Sequence, residues 1–243
     1  MKPDPPEVEA SRLSQIQTHW SAIFESVSDD VGGPSKGHRD LLLRYAGPAY
    51  RYLLAVCRDP DIADDLAQEF AFKFVRGDFR RASPDRGRFR DYLKRSLTNL
   101  VNDHFRRQQT RPRTCAVELL QGREPSYSPP IDDTFDQEWR REVLSRTWLA
   151  MDAADANNGS CYSLVLKLRA QHPRLDSSQL ATLTGERLNR EVTAAWLRQT
   201  LKRARDRFGE LMRTEVEKSL LSDSAEEVDR ELRELGLKKY LSS

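Results

Sequence analysis

The side chains able to do chemistry gather between Asp61 and Arg107, and the chemistry they offer is recognition. In the stretch DIADDLAQEFAFKFVR, Asp61, Asp65, Gln68 and Phe72 follow one another at i, i+4, i+7 and i+11. On a helix that spacing puts two carboxylates, an amide and an aromatic ring on one side, a surface suited to a basic partner helix. The chain then turns basic. Between Arg76 and Arg113 there are twelve Arg and Lys against four Asp and Glu, which points to a polyanionic partner. Catalytic chemistry is not visible. The sequence offers no phosphate-cradling glycine loop and no nucleophile–base pair. His19, His38, His104 and His172 lack metal-ligand spacing. No catalytic residue, metal or cofactor is therefore expected, and the protein reads as a non-enzyme.

Helices must position these residues. Asp59 and Pro60 form a helix start, with Asp as N-cap and Pro at the first helical position. Ile62, Leu66, Phe70 and Phe74 then make an apolar stripe that turns the acidic side outward. A second stripe, Phe89, Leu93, Leu97, Leu100 and His104, predicts a helix over about 88–107 beyond an arginine-rich loop, Gly77–Arg88. Upstream, Leu13, Ile16, Trp20, Ile23, Phe24 and Val27 predict an amphipathic helix, and Pro48 predicts a kink or restart near Gly47. Downstream, a Pro- and Ser-rich stretch reads as a linker, with a second domain starting near Phe135. Within it, Asp176 and Gln179 form a capping box for a short helix ending at Thr184-Gly185. After a polar turn, Leu197, Leu201, Ala204, Phe208 and Leu211 make the apolar side of a helix whose other side carries Arg198, Gln199, Lys202, Arg203 and Arg205. A short helix, a turn and a basic helix read as a helix-turn-helix.

The 243 residues suffice for two small domains, and charged residues make up 32% of them. No run approaches the roughly 18 apolar residues of a membrane span, and MKPDPPEVEA lacks a signal-peptide core, so a cytoplasmic protein with no membrane partner is expected. Cys57, Cys115 and Cys161 are odd in number and far apart, which suits a reducing compartment. The tail is acidic, with eight acids against three bases between Glu215 and Glu234.

Two passages carry a resemblance. ADDLAQEF (Ala63 to Phe70) followed by FRDYLKRSLTNLVNDHFRR (Phe89 to Arg107) resembles the second domain of bacterial RNA polymerase sigma factors, most nearly the extracytoplasmic-function (ECF) class of the sigma-70 family. VTAAWLRQTLKRARDRF (Val192 to Phe208) is similar to the recognition helix of that class's fourth domain. The resemblance spans roughly 38–220 and implies an all-α protein of two small helical domains, sigma region 2 and a region 4 helix-turn-helix, joined by a flexible linker. The expected division is an extension with an amphipathic helix (1–37), the region 2-like domain (38–107), a linker (108–136), the region 4-like domain (137–220) and an acidic helical tail (221–243).

The resemblance implies a sigma factor that binds core polymerase, recognises promoters and opens DNA. Asp61, Asp64, Asp65, Gln68, Glu69 and Phe72 would meet the coiled coil of the polymerase's largest subunit. The downstream promoter element and its opened strand would meet Arg86, Arg88, Arg90, Tyr92, Lys94, Arg95, Asn99, Asp103, Arg106 and Arg107. Among these the basic residues hold phosphates and Asn99 and Asp103 lie near a flipped base, while Tyr92, and outside this set Phe105, either stack on bases or pack. The upstream element would meet Thr193, Arg198, Gln199, Lys202 and Arg203 in the major groove. An anti-sigma factor or kinase-linked regulator is a further implied partner. The turn GERLNREVT (Gly185 to Thr193) is longer than usual for this class, and Thr193 stands where Ser is common. A stand-alone helix-turn-helix regulator and a polymerase-binding decoy remain as alternatives.

Overall fold

In a computed structural model, described for residues 14, 16, 18–22, 36–75, 89–110, 131–220 and 224–241, the chain is all-α, with no strand among the described residues. It divides into two units, Met1–Trp139 with Ser219–Leu221, and Arg140–Lys218 with Ser222–Ser243. The expected loop Gly77–Arg88, with Arg86 and Arg88, lies outside the described residues, as do Leu13, Ile23, Phe24, Val27 and Cys115.

In the first unit, α1 (Lys36–Cys57), α2 (Pro60–Val75) and α3 (Phe89–Thr110) pack against one another. Helix α1 lies centrally: Leu42, Tyr45, Ala46, Ala49, Tyr52 and Leu53 are all buried, a stripe wide enough to serve two neighbours. The expected restart near Gly47 does not occur. Gly47 and Pro48 are themselves buried within a continuous helix, so packing on both sides holds the backbone helical where the sequence alone favours a break. Helix α1 ends at Arg58, which takes a left-handed φ of 55° while its N–H donates to the Leu54 carbonyl at 2.9 Å. Asp59 then caps α2, its Oδ1 accepting from the N–H groups of Asp61 (3.0 Å) and Ile62 (3.3 Å). The tight connection leaves Cys57 against the protein. Burial, with help from Asp59, pushes its thiol from 9.0 up to about 11. Below pH 9 the thiol is neutral in both folded and unfolded chain; between pH 9 and about 11 the unfolded thiol ionises first, so stability falls as pH rises. Cys57→Ser is expected to flatten that segment of a stability–pH curve measured by urea denaturation.

An aromatic cluster completes this unit. Trp20, fully buried, lies 5.7 Å from Phe70 between ring centroids. Tyr45 stacks on Trp139 at 4.1 Å, and Tyr52 meets Phe135 edge-on at 5.9 Å. Phe135 and Trp139 belong to α4 (Ile131–Asn158), whose first turns fall within the first unit. The sequence places Phe135 at the start of the second domain; burial of both rings on α1 puts it in the first unit instead.

In the second unit, α5 (Tyr162–Gln171), α6 (Ser177–Leu188) and α7 (Ala194–Glu217) enclose Val165, Leu168, Leu180, Ala181, Leu197 and Leu201. Trp148, from the later part of α4, packs on Phe208 at 4.7 Å. Asp155, near the end of α4, accepts from the Ser163 N–H at 2.6 Å, and Asp152 accepts from the Ser163 hydroxyl and from Lys167. The Ser163 hydroxyl, with Lys167, holds the Asp152 carboxyl below the usual range. The expected capping box is present: Asp176 Oδ1 accepts from Ser178 N–H (2.8 Å) and Gln179 N–H (2.9 Å), while Gln179 Oε1 accepts from Asp176 N–H (3.1 Å). Asp176→Ala is expected to cost about 1 kcal/mol in thermal unfolding, the ordinary worth of an N-cap.

The turn after α6 differs from expectation. The helix does not stop at Thr184-Gly185 but continues to Leu188 and ends on Asn189, left-handed at φ 50°. The connection to α7 is therefore only 189–193, and Thr193 caps α7 by accepting from Trp196 N–H at 3.2 Å. Gly185 makes this tightness possible. Its carbonyl accepts from Arg190 N–H at 3.1 Å, and a Cβ at 185 would lie 2.8 Å from the Arg190 carbonyl oxygen.

Finally, α8 (Ala225–Glu234) and a 3-10 turn (Lys238–Tyr240) pack on α7. Val228, Leu232, Leu235 and Leu237 are buried there, and Arg213 pairs with Asp229 at 2.6 Å. Among the described residues no helix is long and apolar enough to cross a membrane.

Candidate protein-binding and nucleic-acid-binding faces

Because Leu66, Phe70 and Phe74 turn inward, α2 must present its other side to solvent. Asp61, Asp65 and Gln68 are exposed there, and Phe72 is 52% exposed, an unusual place for a large ring. Asp64 and Glu69 are half-buried. Glu69 is engaged within the unit, by Lys73 at 3.0 Å and by Arg107 of α3 at 3.8 Å. Of the six expected protein-binding residues, four share the open face and two turn toward the bundle.

On α3, Arg95 and Asn99 are exposed, as are Arg106 and Arg107. Asp103 is tied to Arg106 at 3.0 Å, and Tyr92 is half-buried. Phe105 is 38% exposed beside His104. Asn102, not singled out by its sequence, is exposed as well; positions 95, 99, 102 and 106 form one stripe at i, i+4, i+7 and i+11. That spacing was the available signal.

Arg90 and Lys94 are elsewhere. Arg90 is 3% exposed, its guanidinium 2.7 Å from Asp136 Oδ1, and Lys94 Nζ lies 3.0 Å from Asp136 Oδ2. Nearby, Arg51 Nε donates to Glu138 at 2.7 Å. Arg90, expected at the DNA-facing surface, is thus placed by the structure in a buried ion pair with the start of α4. Its i, i+4 neighbour Lys94 shares the same acid and is mostly covered. The opposing residue is 42 positions from Lys94, beyond the reach of any local pattern.

In the second unit, Arg198, Gln199, Lys202 and Arg203 are all exposed on α7, opposite buried Leu197, Leu201 and Ala204. Thr193 is exposed, with its hydroxyl engaged as the cap. Arg190, in the turn, lies over the Trp196 ring at 4.7 Å.

The first unit thus presents an acidic–aromatic face on α2 and a basic, amide-bearing stripe on α3. Residues 41–111 match the sigma-70 region 2 family, a span that begins within α1, runs through α3 and takes in less than a third of the chain. No curated protein and no solved structure matches the chain. The region 2 match supports a sigma factor of the sigma-70 family, with a role in RNA polymerase binding and promoter melting.

Proposed function

We propose that the chain is a promoter-specificity subunit of the ECF class, which joins core RNA polymerase, recognises two promoter elements and helps open DNA. The observation that carries this proposal is the exposed Asp61, Asp65, Gln68 and Phe72 face of α2, in the same region 2 bundle as the Arg95–Asn99–Arg106 stripe of α3. The α2 face meets a basic coiled coil of the polymerase's largest subunit, its charges speeding encounter and Phe72 supplying apolar contact. The α3 stripe meets the opened downstream strand: Arg95, Arg106 and Arg107 hold phosphate, and Asn99 with Asp103 hydrogen-bonds an unstacked base. Helix α7 reads the upstream element through Arg198, Gln199, Lys202 and Arg203, with Thr193 at its start. The polymerase performs the chemistry.

The test adds purified protein to core polymerase and follows run-off transcription from the DNA upstream of its own coding sequence. Promoter-dependent initiation is the expected result, lost in Asp65→Arg/Gln68→Ala together with core binding. Duplex binding with no effect of core would identify a stand-alone regulator, and core binding without initiation a decoy.

A further inference from the structure

The tail raises a question that α7 answers. Arg198, Lys202 and Arg205, all exposed, recur at i, i+4 and i+7, and the next position of that stripe, i+11, is Gly209. Gly209 is buried because the end of the chain lies on it: a Cβ there would sit 3.4 Å from Leu241 Cδ2 and 4.0 Å from the Tyr240 carbonyl oxygen. The 3-10 turn Lys238–Tyr240 is thus seated on the same side of α7 as its basic residues, one helical step beyond them. Lys238, Lys239 and Tyr240 are exposed, and Lys239 Nζ lies 5.0 Å from the centre of the Tyr240 ring. The acids nearby are partly neutralised: Glu210 pairs with Arg207 at 2.9 Å and Asp229 with Arg213 at 2.6 Å. Although the tail is acidic as a whole, the part that reaches this stripe is its basic end.

We infer that Lys238 and Lys239 form an additional contact to the DNA phosphate backbone, continuing the basic stripe of α7 from a different segment of the chain. The inference rests on the proposed duplex-binding role of α7. Distance selects phosphate over base edges. Gly209 lies eleven residues from Arg198, about 16 Å along the helix, farther than the roughly 12 Å width of the major groove. A cation there meets the flanking backbone. Tyr240 holds Lys239 by a cation–π contact and keeps the turn seated.

Removing the whole tail would strip α8 and the 3-10 turn from α7 and uncover Gly209, so point substitutions are the better instrument. Binding of the full chain to a labelled mixed-sequence DNA duplex is measured by fluorescence anisotropy across a salt series. Lys238→Gln/Lys239→Gln is expected to reduce the slope of log K against log salt by about 1–2, at about 0.9 per phosphate contact, with the melting temperature unchanged. Arg230→Gln/Arg233→Gln, which removes the same charge from exposed positions of α8, is the comparison and is expected to leave the slope near wild type. An unchanged slope in the lysine pair, or an equal fall in both pairs, overturns the inference and leaves the role of α7 intact. Absence of duplex binding by the wild-type chain overturns the role of α7 and the inference with it.

Discussion

Asp136→Ala is expected to lower stability by about 3 kcal/mol, through a charge that cannot be rehydrated in place. Asp136 accepts from Arg90 at 2.7 Å and from Lys94 at 3.0 Å, and Arg90 is 3% exposed. Deleting the carboxylate removes a close anionic partner from a guanidinium that is almost fully covered. Because Asp136 is itself about one-third exposed, the loss is set at the low end of the range for broken buried pairs. Urea denaturation followed by tryptophan fluorescence is the measurement, since Trp139 stacks on Tyr45 close by. A loss below about 0.5 kcal/mol would put the pair among ordinary surface ion pairs and restore Arg90 as a candidate phosphate contact. The companion substitution acts in reverse. Arg95→Ala, at an exposed position, leaves stability near wild type and lowers the salt slope of single-strand binding by about 0.7, one phosphate contact.

Gly185→Val is expected to destabilise the second unit by about 2–3 kcal/mol and to weaken duplex binding with it. The atom a Cβ would meet at 2.8 Å is the backbone carbonyl of Arg190, which has no rotamer to escape into. Relief requires moving the 189–193 turn, and that turn sets the start of α7 through the Thr193 cap. It also carries Arg190, whose guanidinium lies over Trp196. A thermal melt with duplex titration checks both effects. Wild-type behaviour in both would mean that the turn follows another path, in which residue 185 faces open space.

Local rules were enough for much of the architecture. The Asp59 cap, the Asp176–Gln179 box and the outward Asp61–Asp65–Gln68–Phe72 face all follow from spacings of a few residues along one helix. The i, i+4 stripe that buries Leu66, Phe70 and Phe74 leaves the acidic side nowhere to go but solvent. The same holds for α7, where Leu197, Leu201 and Ala204 determine which side carries Arg198 and Lys202.

What depended on distant segments was not legible. Arg90 and Arg95 look alike along the chain, and only the return of α4 buries one and leaves the other open. Phe135 and Trp139 carry no mark of which unit claims them until Tyr45 and Tyr52 are in place. The length of the turn after Gly185 was set by how closely the Arg190 backbone approaches a residue without a side chain. By itself, then, the sequence determined the helices, their caps and the chemistry of each face, because periodicity and capping act within a turn or two of backbone. Only the tertiary structure decided which cations remain available to a partner and where the tail's lysines lie, because burial and ion pairing join residues that the chain keeps far apart.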